Sequence, residues 1–412
     1  MSPSEAAPQR APHRGIGFTE FVALMAALMA VNALAVDSML PALPQIAADL
    51  GIVHENDQQW IVTAYLLGLG ACQIVYGPLA DRYGRKPTLL FGLAIYFAFS
   101  VLAVFATSFT LMMVARVFQG VGSAAARVLV VAIVRDCYEG RRMARVMSLA
   151  LIVFLAVPIL APSLGQAVML AGSWHWIFVV LAGLSGVVFL WVMLRLPETL
   201  HPEDRLPLAF GRVGQAFRIV LTNRFAVGYM LAMTCVMGAL FGFINSAQQV
   251  FVEALGAGIY FPLLFAGIAL AIALASFTNS RIVERFGMRL VSHSAIIGFT
   301  LSAALNAGLA LTGHLSLAAF ALLQAVTMFC FGLTGPNFGA MAMEPVGHVA
   351  GTASSVQGFV TTLGGALLGF MIGQQFDGTA APMLLGFAAF GAGAILIVLV
   401  TEGRLFKAHH AH

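Results

Sequence analysis

The chain has 412 residues, of which 60% are hydrophobic and only 9% charged, with a formal net charge of +4. A soluble domain carries about 25% charged residues, and one this poor in charge would expose apolar patches large enough to aggregate, so the solvent for which this composition is suited is lipid. Nucleic acid is excluded as a partner, because the basic residues are spread over many short segments and build no single patch.

Residues 1–17 hold Pro, Ala and Arg without apolar periodicity and read as a disordered cytoplasmic tail. The first apolar run, 18–40, is too long for the core of a signal peptide, lacks a cleavage site and is followed by many similar runs, so it is a retained helix. A membrane span needs roughly 20 apolar residues. Runs of that size lie near 18–40, 59–79, 88–107, 110–134, 143–170, 174–196, 224–252, 259–280, 290–311, 315–341, 350–375 and 381–401, which predicts an all-α membrane protein of about twelve helices. Many of the 42 glycines fall inside these runs, where they permit close helix packing. Cys72, Cys137, Cys235 and Cys330 form no C-x-x-C pair and have no metal-ligand spacing. His409, His410 and His412 belong to a solvated tail, 402–412, so no metal is expected.

With the N-terminus inside, Arg10, Arg14, Arg82, Arg85, Lys86, Arg135, Arg141, Arg142, Arg145, Arg195, Arg205, Arg212, Arg218, Arg224, Arg281, Arg285, Arg289, Arg404 and Lys407 are all cytoplasmic. The opposite loops carry Asp49, Glu55, Asp57 and Asp377 and no Lys or Arg. This asymmetry places both termini in the cytoplasm and supports an even number of spans. The longest cytoplasmic connection, 197–223, opens L-P-E-T-L-H-P-E-D and continues with Phe210, Val213, Phe217 and Val220 at helical spacing, an amphipathic helix expected to lie on the inner leaflet. It separates two predicted six-helix bundles, 18–196 and 224–401. The halves echo each other: Asp81-Arg82-Tyr83-Gly84-Arg85-Lys86 recurs 203 residues later as Glu284-Arg285-Phe286-Gly287-Met288-Arg289. Such repeats are typical of transporters whose substrate site lies between the halves near mid-membrane.

The turn Gly77 to Pro87, G-P-L-A-D-R-Y-G-R-K-P, packs a carboxylate, three cations and two glycines together and reads as a conformational latch of Gly77, Asp81, Arg82, Gly84, Arg85 and Asp136. Asp81 is expected to cap a neighbouring helix N-terminus and Arg85 to pair with Asp136. This segment resembles the signature loop between the second and third helices of the major facilitator superfamily. Leu111 to Ala125 (LMMVARVFQGVGSAA) is similar to the fourth-helix motif of proton-coupled members, with its arginine at Arg116, and Val157 to Gly165 (VPILAPSLG) to the fifth-helix antiporter motif of drug exporters. Asp37 to Ile46 (DSMLPALPQI) resembles the first-helix exit of the drug:proton antiporter-1 group. R-V-L-V-V-A-I-V-R-D, G-P-N-F-G-A-M-A-M-E-P and A-G-T-A-S-S resemble the bicyclomycin- and chloramphenicol-resistance branch. The antiporter motif departs from its common G-P-x-x-G-G form, reading Ala161-Pro162-Ser163-Leu164-Gly165-Gln166.

Three charges lie well inside spans, where charge is costly and usually paired or functional: Asp37, Arg116 and Arg127. The matching depths of Asp37 and Arg116 predict an ion pair or a proton-controlled switch, and Arg127, three helical turns after Arg116, shares its face. Pro158, Pro162 and Gly165 predict a kinked fifth span packed tightly against the other half. Asn32, Tyr65, Asn245, Gln248, Phe251, Gln324 and Phe329 are candidates for a mostly apolar pocket with a few amides, suited to an amphiphilic molecule. Glu344, at the cytoplasmic end of a span, reads as a gate residue.

The expectation is a proton-driven exporter of small amphiphilic compounds, drugs among them, resident in the bacterial cytoplasmic (inner) membrane. It would function as a monomer, with protons as coupling ion and no cofactor. A carrier dedicated to one sugar, nucleoside or amino-acid derivative is the rival reading. An enzyme is not expected, because no H-E-x-x-H, G-x-S-x-G or Walker loop occurs.

Overall fold

The computed structural model of the chain describes residues 16–205 and 210–406, so most of the expected tails 1–17 and 402–412 lies outside the described residues. Among the described residues every regular element is helical. The helices are α1 (Phe18–Asp37), α2 (Leu43–Asp49), α3 (Trp60–Tyr83), α4 (Arg85–Val104), α5 (Phe109–Cys137), α6 (Gly140–Ala171) and α7 (His175–Arg195). After the linker come α8 (Phe210–Thr222), α9 (Arg224–Gln248), α10 (Phe261–Phe286), α11 (Met288–Leu311), α12 (Leu317–Met343), α13 (Ala350–Gly373) and α14 (Ala381–Glu402). Twelve helical stretches are long and apolar enough to cross a membrane, one for each predicted run, and the chain is a multi-pass membrane protein.

In the first six spans α3 packs on α5, α4 on α5 and α7, and α1 on α6. In the second six α9 packs on α13 and α14, α11 on α12 and α14, and α10 on α12. The two sets meet along α3–α13 and α6–α10. Glycine makes the first of these seams possible: a Cβ on Gly70 would come within 2.8 Å of the Leu363 backbone nitrogen. Without Cβ the backbones close, which is how helices associate where lipid supplies no hydrophobic drive.

The helix ends rich in arginine share one end of the molecule, here the basic end; Asp49, Glu55, Asp57 and Asp377 lie at the other, the far end. α8 sits at the basic end, but lipid is not its only neighbour. Val220 is buried with Ala226, Met230, Val346 and Val356, and the Phe217 ring lies 6.5 Å from that of Phe359. Part of its apolar face therefore docks on the second bundle.

Candidate functional site: a cleft and its two ends

At the basic end the latch residues assemble around Arg85. Its Nη1 donates to Asp81 Oδ1 at 2.6 Å and its Nε to Asp136 Oδ2 at 2.9 Å, joining the end of α3 to the end of α5. The guanidinium is nearly enclosed, while Asp81 is 42% exposed and Asp136 15%. Asp81 therefore spends its charge on Arg85 and does not cap a helix. The cap comes from Glu198, which the sequence reading missed: its carboxylate accepts from the backbone N–H of Arg85 (2.9 Å) and Lys86 (3.3 Å), the orphan donors at the start of α4. Gly84, at φ 104°, is needed twice, because a side chain there would be strained and would strike the Glu198 carboxylate. Gly77 abuts the second bundle at Ser355, and Arg82 is exposed over the Tyr83 ring, outside the cluster.

The space between the bundles is sealed at the far end and, although α3 and α13 still meet at Gly77 and Ser355, open along α5 and α6 at the basic end. Ala35–Leu40 of the first span and Gly242–Phe251 of the seventh are buried at every position. By contrast, α6 near the basic end exposes Ser148, Leu149, Leu151, Ile152 and Val153, more than half of its circumference. A helix packed on both bundles at that level would not. Arg116 and Arg127 share one face of α5, being three turns apart. Arg116, at the sealed level, is fully buried; Arg127, at the open level, is exposed and has no ion-pair or hydrogen-bond partner among the described residues.

The expected Asp37–Arg116 ion pair is absent. Arg116 is satisfied elsewhere: Nε donates to the Ile61 carbonyl (2.9 Å), Nη2 to the Ala35 carbonyl (3.0 Å) and Nη1 to Gln119 Oε1 (2.7 Å), with the Tyr65 ring 4.6 Å below the guanidinium. Carbonyl dipoles and a π face offset the buried cation without a counter-ion. Asp37, two residues beyond the carbonyl that Arg116 holds, is 5% exposed and accepts no hydrogen bond from the described residues. Its corner is fixed from behind by Gly165, where a Cβ would overlap the Ser38 carbonyl oxygen. Gly165 thus packs on its own half, not on the opposite one. α6 runs unbroken through Pro158 and Pro162.

The far end is closed by carboxamides. Gln59 Nε2 donates to Gln249 Oε1 (2.6 Å) and to the Gly373 carbonyl (2.9 Å), and Gln249 Nε2 donates to Asn56 Oδ1 (3.0 Å). Asn56 Nδ2 donates to the carbonyls of Gln374 (3.2 Å) and Phe376 (3.0 Å), and Gln374 Nε2 to the Asn56 carbonyl (2.8 Å). Every one of these bonds crosses between the halves.

The pocket candidates divide. Tyr65 Oη donates to Ser123 Oγ at 2.7 Å and lies 3.3 Å from Asn32 Oδ1, beside Arg116. Asn245 Oδ1 accepts from Thr63 at 3.5 Å across the interface, and its Nδ2 is unpartnered. Gln248 Oε1 and both amide atoms of Gln324 are likewise buried without partners. Phe251 is different: it is fully buried among Phe243, Phe261 and Phe320, in the second bundle's own core. Phe329 lines a groove of about 360 Å³ between α10, α11 and α12, away from the seam between the halves. Glu344 is exposed at the end of α12.

Comparison with known proteins agrees with this architecture. The family model described as Major Facilitator Superfamily matches residues 25–369. YdgK of Bacillus subtilis, an uncharacterised MFS-type transporter, is 31% identical over 388 residues, covering 93% of each chain. A bicyclomycin resistance protein homolog of Haemophilus influenzae is 30% identical over 92% of this chain and 94% of its own. The multidrug resistance protein MdtL of Klebsiella pneumoniae is 30% identical over 94% of this chain and 97% of its own. The crystal structure of the human organic anion transporter MFSD10 superposes with a TM-score of 0.68 at 17% identity, over 93% of this chain and 100% of that one, a likeness of fold. With twelve spans, a paired-bundle cleft and a family match over most of its length, the chain belongs to the major facilitator superfamily.

Proposed function

We propose that the protein is a proton-coupled antiporter of the bacterial cytoplasmic membrane that exports small amphiphilic compounds, drugs among them, by alternating access. It works as a monomer, with both termini in the cytoplasm and protons as its coupling ion. Relatives named for bicyclomycin and multidrug resistance support the substrate class. A cleft closed at the far end and open at the basic end is one of the two states such a cycle requires; by the distribution of arginines it is the inward-open one.

One observation carries the reading: Asp37 is an enclosed carboxylate with no partner among the described residues, two positions along the chain from the carbonyl to which Arg116 is bonded. A bare carboxylate there is costly, and two changes relieve it. Either a proton arrives, or Arg116 leaves the Ala35 carbonyl and turns toward the acid. The two are mutually exclusive, so a movement of α5 against α1 exchanges one for the other. Unpartnered amides of Asn245, Gln248 and Gln324 supply polar anchors in an otherwise apolar path.

The test is transport in proteoliposomes under an imposed pH gradient, with substrates chosen from a susceptibility panel in an efflux-deficient bacterium. Asp37→Asn abolishes gradient-driven export while substrate binding stays measurable. Export and substrate-induced proton release by Asp37→Asn at wild-type levels would place coupling elsewhere.

A further inference from the structure

We propose that His293, with Tyr229 and Glu402, forms a second proton-binding site at the basic end of the second bundle, separate from Asp37 and independent of the antiport reading. His293 of α11 is fully buried. Its Nε2 lies 3.3 Å from Tyr229 Oη of α9, and Tyr229 Oη lies 2.6 Å from Glu402 Oε1 at the end of α14. Arg289, one turn before His293, donates from Nε to the same Glu402 oxygen at 2.9 Å, and the Glu402 side chain is only 2% exposed.

The proton count fixes the tautomer. Tyr229 has one hydroxyl proton, and the carboxylate, which can only accept, takes it. The tyrosine oxygen must then accept from His293, which puts the imidazole hydrogen on Nε2. Nδ1 is left as a bare lone pair, buried and without a partner among the described residues. The imidazole as a whole is flanked by the rings of Phe338 of α12 and Phe406, with centroids 6.4 and 6.0 Å from its own. Phe406 reaches over the ring because Gly403, in the left-handed region at φ 80°, turns the chain back after α14. The charged and titratable groups facing the site are Tyr229, Arg289 and Glu402, with Glu344 acting on Arg289 from the end of α12. Arg289 and Glu402 offset one another, so an added proton is uncompensated.

A solvent proton that binds Nδ1 creates a buried N–H with no acceptor among the described residues, a costly arrangement while the junction is shut. When Phe406 and the end of α14 lift, water solvates the same N–H. Proton binding therefore favours the open junction, and histidine gives that response between about pH 5 and 8.

The experiment uses the full chain with its four cysteines replaced and spin labels introduced by Leu290→Cys and Val400→Cys, both exposed positions on α11 and α14. The long-distance population measured by double electron–electron resonance is expected to rise at least about threefold between about pH 8 and about pH 5.5. That rise persists in Asp37→Asn and disappears in His293→Gln. In ¹⁵N-histidine spectra at the higher pH, the resonance missing from His293→Gln belongs to an Nε2–H tautomer. Phe406→Ala, which alters only the lid, moves that resonance and enlarges the open population at the higher pH, so the idea remains testable if His293→Gln fails to fold. A pH-independent distance, a response retained in His293→Gln, a response lost in Asp37→Asn, an Nδ1–H tautomer, or no effect of Phe406→Ala each overturns the proposal. None of these readouts requires transport, so failure here is distinct from failure of the antiport reading.

Discussion

Replacing Gln59 with leucine tests the far-end closure most directly. Gln59 is fully buried, and its single amide nitrogen serves two acceptors on the opposite half, Gln249 Oε1 and the Gly373 carbonyl. Leucine keeps the apolar volume and removes the donor. Stranding a buried acceptor costs about 1–3 kcal/mol. Gln249 retains its own donation to Asn56 and the Gly373 carbonyl has a second lone pair, so we take about 1.5 kcal/mol for each, roughly 3 kcal/mol in all. In a conformer opened at the far end, water satisfies both acceptors and the loss vanishes. The ratio of closed to open should therefore fall by roughly a hundredfold. Thr63, fully buried one turn deeper, provides the reporter. In a background without other cysteines, Thr63→Cys should resist a membrane-impermeant maleimide, and adding Gln59→Leu should make it react. Equal protection in both, in protein that inserts and binds normally, would show that the amide contacts do not hold the closure.

Two further outcomes follow from the other end and from the Asp37 corner. Asp136→Asn should lower thermal stability by about 3 kcal/mol, as for breaking a mostly buried pair, and Asp81→Asn by under about 1 kcal/mol because that acid is far more exposed; the opposite ranking in detergent unfolding would refute the assignment of Asp136 as the main anchor. Gly165→Ala should cut transport at least about tenfold with binding retained, since its methyl must displace the Ser38 carbonyl and the Asp37 backbone beside it. Gly183→Ala, with open space around it, should leave transport unchanged, and equal rates for both variants would detach Gly165 from the proposed role of the Asp37 corner.

The twelve spans were legible because each is a long apolar run bounded by charged or turn-forming residues, and lipid makes that signal almost sufficient. The Arg85–Asp136 pair was legible for a related reason: few charges are available, so complementary ones at matching depth find each other. The partners of Arg116 were not. They are chiefly backbone carbonyls, which every residue possesses, and no side-chain letter marks the ones that face an arginine. Gly165 announced a close approach but not its neighbour. Phe251 and Phe329 were misplaced because these helices are apolar all round, and periodicity no longer says which face meets a cleft, a core or lipid. The Gln59–Gln249 and Gln59–Gly373 contacts join positions 190 and 314 residues apart, beyond the reach of any local pattern.

The two ends of the cleft differ in chemistry, and the difference has a physical basis. At the basic end an arginine is shared between two carboxylates of its own bundle, one of them 42% exposed, so this charge cluster is formed while the end stands open and water attenuates it. At the far end the contact is enclosed, with Gln59 and Gln249 both buried. A salt bridge there would have to be stripped of water at every closure, and desolvation can exceed the attraction regained. Neutral amides lose less on closing and still fix the register through directional hydrogen bonds. They also do not titrate, so the strength of this closure is the same at any pH. On the proposed reading, a pH response of the conformational cycle originates in enclosed groups that can gain or lose a proton, and among the described residues Asp37 in the first bundle and His293 in the second are enclosed and have an unused site for one.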